Sequence, residues 1–150
     1  MQCTLFTKDL DTNWSVTPHQ DLSVPVRERV NATGWSAWCV KEGVTFAQPP
    51  QEVLERLVAV RLQLDSGGEA TGPLEVTPGS HAMGRLTASK ISQLVSTKRV
   101  PCSVPKGGVL VMRPLLIHAS GKLRGEGRRR VLHFLYGPPL DSGVSWLDAV

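Results

Sequence analysis

Two histidines and one aspartate in this sequence are candidate metal ligands. His19 and Asp21 are two residues apart, so on a β-strand both side chains would point to the same face. His118 closes a strongly apolar run, Leu-Leu-Ile. Two histidines and a carboxylate form the facial triad of non-heme Fe(II) oxygenases, which leaves coordination positions open. The set therefore predicts an iron site, although a surface His-Asp pair and a buried core histidine are the plainer alternatives.

A run of three arginines could supply an anion-binding group near these residues. Arg128, Arg129 and Arg130 begin an apolar strand pattern. Alternation places Arg129 and His133 on one face, with Arg128 and Arg130 on the other. A 2-oxo acid has a distal carboxylate that the planar fork of arginine can bind with two hydrogen bonds. We therefore predict that Arg129 points inward to an anion. A shift to Arg128 or Arg130, or a fully solvated run, stays open.

Further polar and aromatic residues are candidates for a pocket wall. Arg61 and Gln63 alternate on one face of an apolar strand pattern, so either could contact a cosubstrate or a substrate. His133 would face inward together with Arg129. Trp14 lies close to the His-x-Asp segment, where an aromatic ring could contact a substrate. Packing in the core is the alternative for each of them.

Short elements separated by turns must position these residues. Gly 14 and Pro 11 in 150 residues favour many short strands over a helical bundle. We predict an antiparallel sandwich or barrel in which Pro114 ends a strand, so that His118 lies just past that strand or on its frayed continuation. Strands are predicted at 22–26, 58–65, 74–76, 109–112 and 129–136, and helices at 51–57 and at 88–95 after a Thr87 cap. Residues 27–48 are expected to form a long loop. Its residues Trp35, Trp38 and Gln48 could form a substrate wall together with Trp14, and packing in the core is the alternative for the aromatic residues.

Composition excludes several other classes of protein. No apolar stretch is long enough to span a membrane, and the first residues lack the pattern of a secretory signal. The three cysteines, Cys3, Cys39 and Cys102, form neither a disulfide framework nor a zinc ribbon, so we expect a cytoplasmic protein. The net charge of +4 favours a solvated arginine run over a nucleic-acid interface.

A set of motifs in fixed order carries a resemblance to a known family. The sequence resembles phytanoyl-CoA dioxygenase family proteins, most closely their bacterial, functionally uncharacterised members, from Leu5 to Trp146. The matching segments are Trp14, His19-Gln20-Asp21, Gly72-Pro73-Leu74, Pro78-Gly79-Ser80-His81, Arg113-Pro114, His118-Ala119-Ser120 and Arg129-Arg130-Val131-Leu132-His133. Thr71 departs from the pattern, since family members commonly have asparagine there.

This resemblance implies an all-β fold, a double-stranded β-helix (jelly-roll, cupin-like) with a few short helices. It implies a dioxygenase that uses Fe(II), 2-oxoglutarate and O2 to hydroxylate a small molecule. From charge and composition we expect no nucleic-acid or membrane partner. By the same resemblance, His19, Asp21 and His118 are the iron ligands, and Arg129 binds the distal carboxylate of 2-oxoglutarate beside the hydroxyl of Ser120. His81 belongs to a turn and is expected to be structural.

The segment before His19 is short for this family. Only 18 residues precede it, whereas family members usually carry a substantial N-terminal portion. We therefore expect a single domain over residues 1–150 that lacks this portion. An exposed sheet edge would then favour a homodimer. The alternatives are a catalytically inactive jelly-roll remnant that binds a small ligand or a protein, and an anion or nucleic-acid module that uses the arginine run.

Overall fold

Short β-strands make up most of the structure, a computed structural model that describes residues 2–140 and 143–147. The strands are β1 (Gln2–Lys8), β2 (Val16–His19), β3 (Val24–Val26), β4 (Ser36–Lys41), β5 (Val44–Gln48), β6 (Val58–Gln63), β7 (Leu74–Val76), β8 (Val100–Cys102), β9 (Val109–Met112), β10 (His118–Ser120) and β11 (Arg129–Tyr136). The helices are α1 (Gln51–Leu54) and α2 (Ala88–Val95), with 3-10 turns at Glu69–Thr71 and Ser80–Met83.

The strands form three antiparallel sheets. The first has the order β1-β11-β6-β9, the second β2-β10-β7-β8, and the third β3-β5-β4. Crossovers between the first two sheets, such as β6 to β7 and β9 to β10, alternate as in a jelly roll. The predicted all-β, jelly-roll fold class is therefore confirmed. Two clusters of buried apolar side chains form the core, one beneath the third sheet and one between β6, β7 and β9.

Polar side chains occupy inward positions on β6. Its residues alternate between half-buried and buried, and the buried ones are Ala59, Arg61 and Gln63. The neighbouring strand β11 is in register with it, so that Arg61 lies opposite His133. Charged and amide side chains are rarely buried without a partner or a function. The pattern marks the space between the two main sheets as a polar site.

Most of the predicted elements are present, with shifted ends in some. The structure confirms strands at Leu74–Val76, Val109–Met112 and Arg129–Tyr136, and helix α2 at Ala88–Val95. Thr87 caps α2 by accepting a hydrogen bond from the backbone N–H of Lys90 at 3.3 Å. The first predicted helix ends at Leu54, earlier than expected.

The prediction of a loop over residues 27–48 is wrong for its second half. Strands β4 and β5 form a hairpin there, with Lys41 paired to Val44. The two residues between them, Glu42 and Gly43, both have positive φ, 50° and 79°, as a tight two-residue hairpin turn requires. Glu-Gly is a weaker sequence signal for this turn than Asn-Gly, and β4 is mostly exposed, so its pattern lacks a buried face.

His118 lies on a strand of its own and not at the frayed end of β9. After Met112 the chain turns at Pro114 and crosses to the second sheet, where His118 begins β10. There it pairs with His19 of β2 and Val76 of β7. The proline follows the end of β9, as expected, but the chain then passes from the first sheet to the second.

The first sheet ends at β1 and β9, which have no further partner strand among the described residues. Leu5 of β1 and Val109 and Val111 of β9 are more than half exposed. Such edges are typical sites of pairing between chains, and the homodimer stays a prediction. Within the described residues, no helix is long and apolar enough to cross a membrane.

Candidate active site

The three predicted metal ligands meet at one point, which we call the metal corner: His19, Asp21 and His118. His19 and His118 are cross-strand partners on β2 and β10, with ring centroids 4.3 Å apart. Asp21 Oδ1 lies 3.2 Å from His19 Nε2, and Asp21 Oδ2 lies 3.4 Å from His118 Nε2. One ligand atom from each residue falls within 4.8 Å of the others, so a single cation could contact all three.

Backbone carbonyls orient both imidazole rings. The Nδ1 atom of His19 contacts the carbonyl of Thr17 at 2.8 Å, and that of His118 contacts the carbonyl of Leu116 at 2.9 Å. A carbonyl only accepts, so each Nδ1 must carry the proton and each neutral ring turns its Nε2 lone pair toward Asp21. Lone pairs facing a carboxylate need a cation between them, either a proton or a metal ion. This donor set fits a divalent metal.

The electrostatics of the metal corner agree with this arrangement. Burial would raise the pKa of Asp21, but the hydrogen bond from His19 and the charge of His118 outweigh it and lower that pKa. In the metal-free protein, the same hydrogen bond, donated to Asp21 by a protonated Nε2 of His19, raises the pKa of His19. Burial lowers the pKa of His118, which favours the neutral form that binds metal.

Gln20, between the two ligands of the His-x-Asp segment, is a residue whose role the sequence did not reveal. It is buried, and its amide donates to the carbonyls of Gly84 and Leu115 at 2.9 and 2.7 Å. Its oxygen accepts from the backbone N–H of Leu86 at 2.9 Å. These bonds fasten the segment to two neighbouring loops, so Gln20 holds the direction of both ligands. The one signal in the sequence for this role is that Gln20 is a polar residue directly between two predicted ligands.

The second functional group of the cavity, which we call the cationic corner, consists of Lys8, Ser120 and Arg129. Arg129 is 4% exposed, and its Nη2 donates to Ser120 Oγ at 3.0 Å. Its Nε and Nη1 are buried without any partner among the described residues. Buried donors of this kind are costly unless a ligand satisfies them. They provide two N–H groups for a carboxylate.

Lys8 is a member of this corner that sequence reasoning missed. It is cross-strand partner to Arg129, is 1% exposed, and donates from Nζ to Ser120 Oγ and to the carbonyl of Gly121, both at 2.6 Å. Burial, then the charges of Arg129 and Arg61, lower its pKa to about 8. Burial and the charge of Arg61 likewise lower the pKa of Arg129 to about 10. The corner concentrates positive charge that a bound anion would stabilise.

The register of the arginine run agrees with the predicted alternation. Arg129 points inward, whereas Arg128 and Arg130 face the other side and contact Asp65 at 3.6 and 2.9 Å. Arg130 holds that carboxylate with both its Nε and its Nη2. Two of the three arginines are therefore engaged in an exposed ion-pair cluster.

The metal corner lines one cavity of about 640 Å³ together with Ser120 and Arg129 of the cationic corner, and Lys8 lies behind these two residues. Of the remaining predicted residues, Arg61, His133, Trp14 and Gln48 line the cavity. Trp14 donates from Nε1 to the carbonyl of Thr7 at 3.1 Å and stacks under the Lys8 ammonium, 4.7 Å from the ring centroid. The other lining residues include Gln2, Thr4, Phe6, Val16, Leu22, Ser23, Lys41, Phe46, Leu74 and Leu135.

Three predicted pocket residues lie elsewhere. Gln63 is buried on the inward face of β6 but does not line the cavity, because it sits beyond Arg61 where Gly107 and Gly108 close the sheet. Trp35 and Trp38 pack against each other in the core beneath the third sheet, with ring centroids 6.1 Å apart. Both tryptophans are core residues, which is the alternative that the sequence left open, and they form no part of a substrate wall. The side chains of the β4–β5 hairpin that reach the cavity are Lys41, Phe46 and Gln48.

Comparison with known proteins identifies the family of the chain. The sequence matches the family "Phytanoyl-CoA dioxygenase (PhyH)" over residues 1–131. This match spans most of the chain, so the protein belongs to that family. A search of curated proteins found no match.

Solved structures share the fold at low identity. AviO1 from Streptomyces viridochromogenes Tue57 superposes with a TM-score of 0.62 at 24% identity, over 95% of this chain and 52% of its own. SnoK, a non-heme alpha ketoglutarate dependent carbocyclase from nogalamycin biosynthesis, gives 0.62 at 13%, over 90% and 47%. HygX from Streptomyces hygroscopicus, solved with nickel, 2-oxoglutarate and hygromycin B, gives 0.57 at 18%, over 91% and 55%. The chain thus spans about half the length of these structures.

Proposed function

We propose that this protein is an Fe(II)- and 2-oxoglutarate-dependent dioxygenase that hydroxylates a small molecule. The observation that carries the proposal is that one cavity joins two complementary groups. The metal corner needs a cation, and the cationic corner offers two unpaired, buried N–H groups of Arg129 to an anion. A metal ion and a dicarboxylate cosubstrate together satisfy both.

In this proposal, His19, Asp21 and His118 hold the iron. Arg129 and Ser120 bind the distal carboxylate of 2-oxoglutarate, and the charge of Lys8 supports them from behind. His118 and Ser120 are two residues apart on one face of β10, a distance of about 7 Å along a strand. This spacing links the two corners through one rigid element, as a positioned site requires.

When bound, the iron and 2-oxoglutarate supply the oxidising chemistry, in which O2 is consumed and 2-oxoglutarate is converted to succinate and CO2. The contribution of the chain is to position these groups. The carbonyls of Thr17 and Leu116 keep both Nε2 atoms available. The apolar walls, among them Phe6, Trp14 and Leu74, keep bulk water away from the reacting groups.

Anaerobic titration of the protein with Fe(II) and 2-oxoglutarate tests the proposal without knowledge of the substrate. We expect a metal-to-ligand charge-transfer band that saturates at one equivalent of each. In air, the same sample should form succinate slowly and only when Fe(II) is present. The band should be lost in His118→Ala and retained in His81→Ala, whose histidine is exposed in a 3-10 turn away from the cavity.

Absence of the band in the folded wild-type protein would contradict the proposal. It would favour the alternative of an inactive jelly roll that binds a ligand or a partner. A band without succinate formation would preserve the binding site and reject the activity.

A further inference from the structure

Arg61 is a buried cation in the cavity that belongs to neither corner. It is 7% exposed, lines the cavity from β6, and donates from Nη1 to His133 Nδ1 at 2.9 Å. Its guanidinium lies over the Phe6 ring, 5.6 Å from the centroid. Among the described residues, no carboxylate lies within 4.0 Å of it to form an ion pair. The charge of Asp21 acts on Arg61 only from a distance. A buried charge without a contacting counter-charge is costly, so its retention points to a ligand.

His133 positions this arginine without neutralising it. A guanidinium has no acceptor, so Arg61 must donate, and His133 must accept with an unprotonated Nδ1. Burial and the charge of Arg61 lower the pKa of His133 to about 4, so the ring stays neutral at ordinary pH. Phe6 packs edge-on against this ring, with centroids 5.7 Å apart and planes at 89°. The two rings hold the guanidinium in place at the cavity wall, and its hydrogen bond to His133 uses only one of its nitrogens.

In the described part of the chain, no carboxylate of the cavity wall is available to pair with Arg61. Asp21 is the carboxylate that lines the cavity, and both of its oxygens face histidines of the metal corner. If the proposed function holds, the distal carboxylate of 2-oxoglutarate is taken up at Arg129 and the other end of the molecule by the metal. Arg61 then remains without an anion after the cosubstrate is bound.

We infer that Arg61, held by His133 and Phe6, binds a carboxylate of the primary substrate. The substrate class is therefore a small organic acid. The planar fork of arginine suits this group, since two of its N–H bonds can pair with the two oxygens. This inference rests on the proposed function, because it assigns to the substrate the cation that iron and 2-oxoglutarate leave unpaired.

Matched acid and amide pairs test the inference. The protein is loaded with Zn(II) in place of Fe(II) and with saturating 2-oxoglutarate. A panel of small aromatic and aliphatic carboxylic acids, each with its own primary amide, is then screened by saturation-transfer NMR. We expect the acids that bind to do so about tenfold or more tightly than their amides, which corresponds to one charge-assisted hydrogen-bonded pair. Arg61→Gln should abolish the difference, and Arg61→Lys should restore part of it.

Two controls separate this role from folding and from cosubstrate binding. Arg130→Gln removes an arginine from the outer face of β11 and should keep the acid preference in full. His133→Phe retains a ring but removes the acceptor, and should reduce the preference even if Arg61→Gln fails to fold. In Arg61→Gln, the dissociation constant of 2-oxoglutarate should change by less than about threefold, since hydrogen bonds to Arg129 carry that affinity.

Several outcomes would overturn the inference. These are equal binding of acids and amides, no binding by any pair, or an acid preference that survives in Arg61→Gln. A loss of 2-oxoglutarate affinity of about tenfold or more in Arg61→Gln would assign this arginine to the cosubstrate instead. If the wild-type protein forms no Fe(II)–2-oxoglutarate band, the proposed function fails separately. The acid and amide comparison in the metal-free protein then still decides the role of Arg61.

Discussion

The two corners of the cavity differ in what the protein has left unsatisfied. In the metal corner, each imidazole Nδ1 contacts a backbone carbonyl, and the Nε2 atoms face the carboxylate of Asp21. In the cationic corner, Lys8 and Arg129 share Ser120, yet two N–H groups of Arg129 have no partner. One corner is complete except for a cation, and the other is complete except for an anion. The comparison shows that unsatisfied lone pairs indicate a site for a cation and unsatisfied N–H donors indicate a site for an anion.

The largest effect is expected from removing the charge of the metal corner. Asp21→Asn keeps the shape of the side chain but offers only one weakly binding oxygen. Because even groups that merely support metal ligands are worth about 10–100-fold in affinity, we expect Fe(II) affinity to fall by at least about 100-fold. The measurement is anaerobic metal titration, with Asp65→Asn as the matched control on the outer face. Similar affinity in Asp21→Asn and wild type would mean that the carboxylate is not a ligand.

A smaller loss is expected in the cationic corner. Arg129→Gln removes the charged donors, and we expect 2-oxoglutarate affinity to fall by about 10–100-fold while Fe(II) affinity changes little. Arg130→Gln, on the next residue of the same strand, should leave both affinities unchanged because its side chain pairs with Asp65 outside the cavity. The two variants are compared by charge-transfer titration. If Arg130→Gln proves the more damaging, the inward assignment of Arg129 is wrong.

Site residues that lie within a few positions of one another along the chain could be predicted from the sequence. Alternation along β11 distinguished Arg129 from its neighbours, which needs only the two-residue period of a strand. The His-x-Asp spacing identified two ligands that do lie together, although Asp21 follows the end of β2 and is not on the strand. The inward direction of the arginine and the pairing of His19 with Asp21 could therefore be predicted from the motifs.

The rest depends on pairing between distant segments. Lys8 reaches the cationic corner because β1 lies beside β11, more than a hundred residues away in sequence. A lysine at a strand end is ordinarily solvated. His118 was expected near the end of β9, but the crossover at Pro114 carries it into the opposite sheet beside His19. Gln63 shared a face with Arg61, yet only the closing turn at Gly107 shows that it lies outside the cavity. Such relations are set by topology and not by local pattern.

The smallest expected effect is a change in 2-oxoglutarate affinity with pH, and it depends on Lys8 alone. Burial beside Arg129 lowers the pKa of Lys8 from 10.5 to about 8 in the ligand-free protein, and a bound carboxylate should raise it again. Below about pH 8 the ammonium is already formed, so 2-oxoglutarate affinity should be nearly constant. Above that pH, binding requires proton uptake, and affinity should decline by up to about tenfold per pH unit. Calorimetric titration with Zn(II)-loaded protein from pH 7 to 9.5 measures this slope.

Lys8→Met provides the comparison that makes this slope diagnostic. The variant should bind 2-oxoglutarate more weakly at pH 7 but with no decline above pH 8. Stability gives an independent check, because the unfolded chain binds more protons at Lys8 than the folded one between about pH 8 and 10.5. The ligand-free wild-type protein should therefore gain stability across that window relative to Lys8→Met. Parallel pH profiles for the two proteins, in binding and in unfolding, would show that the ammonium of Lys8 takes no part in holding the anion and that Arg129 and Ser120 suffice.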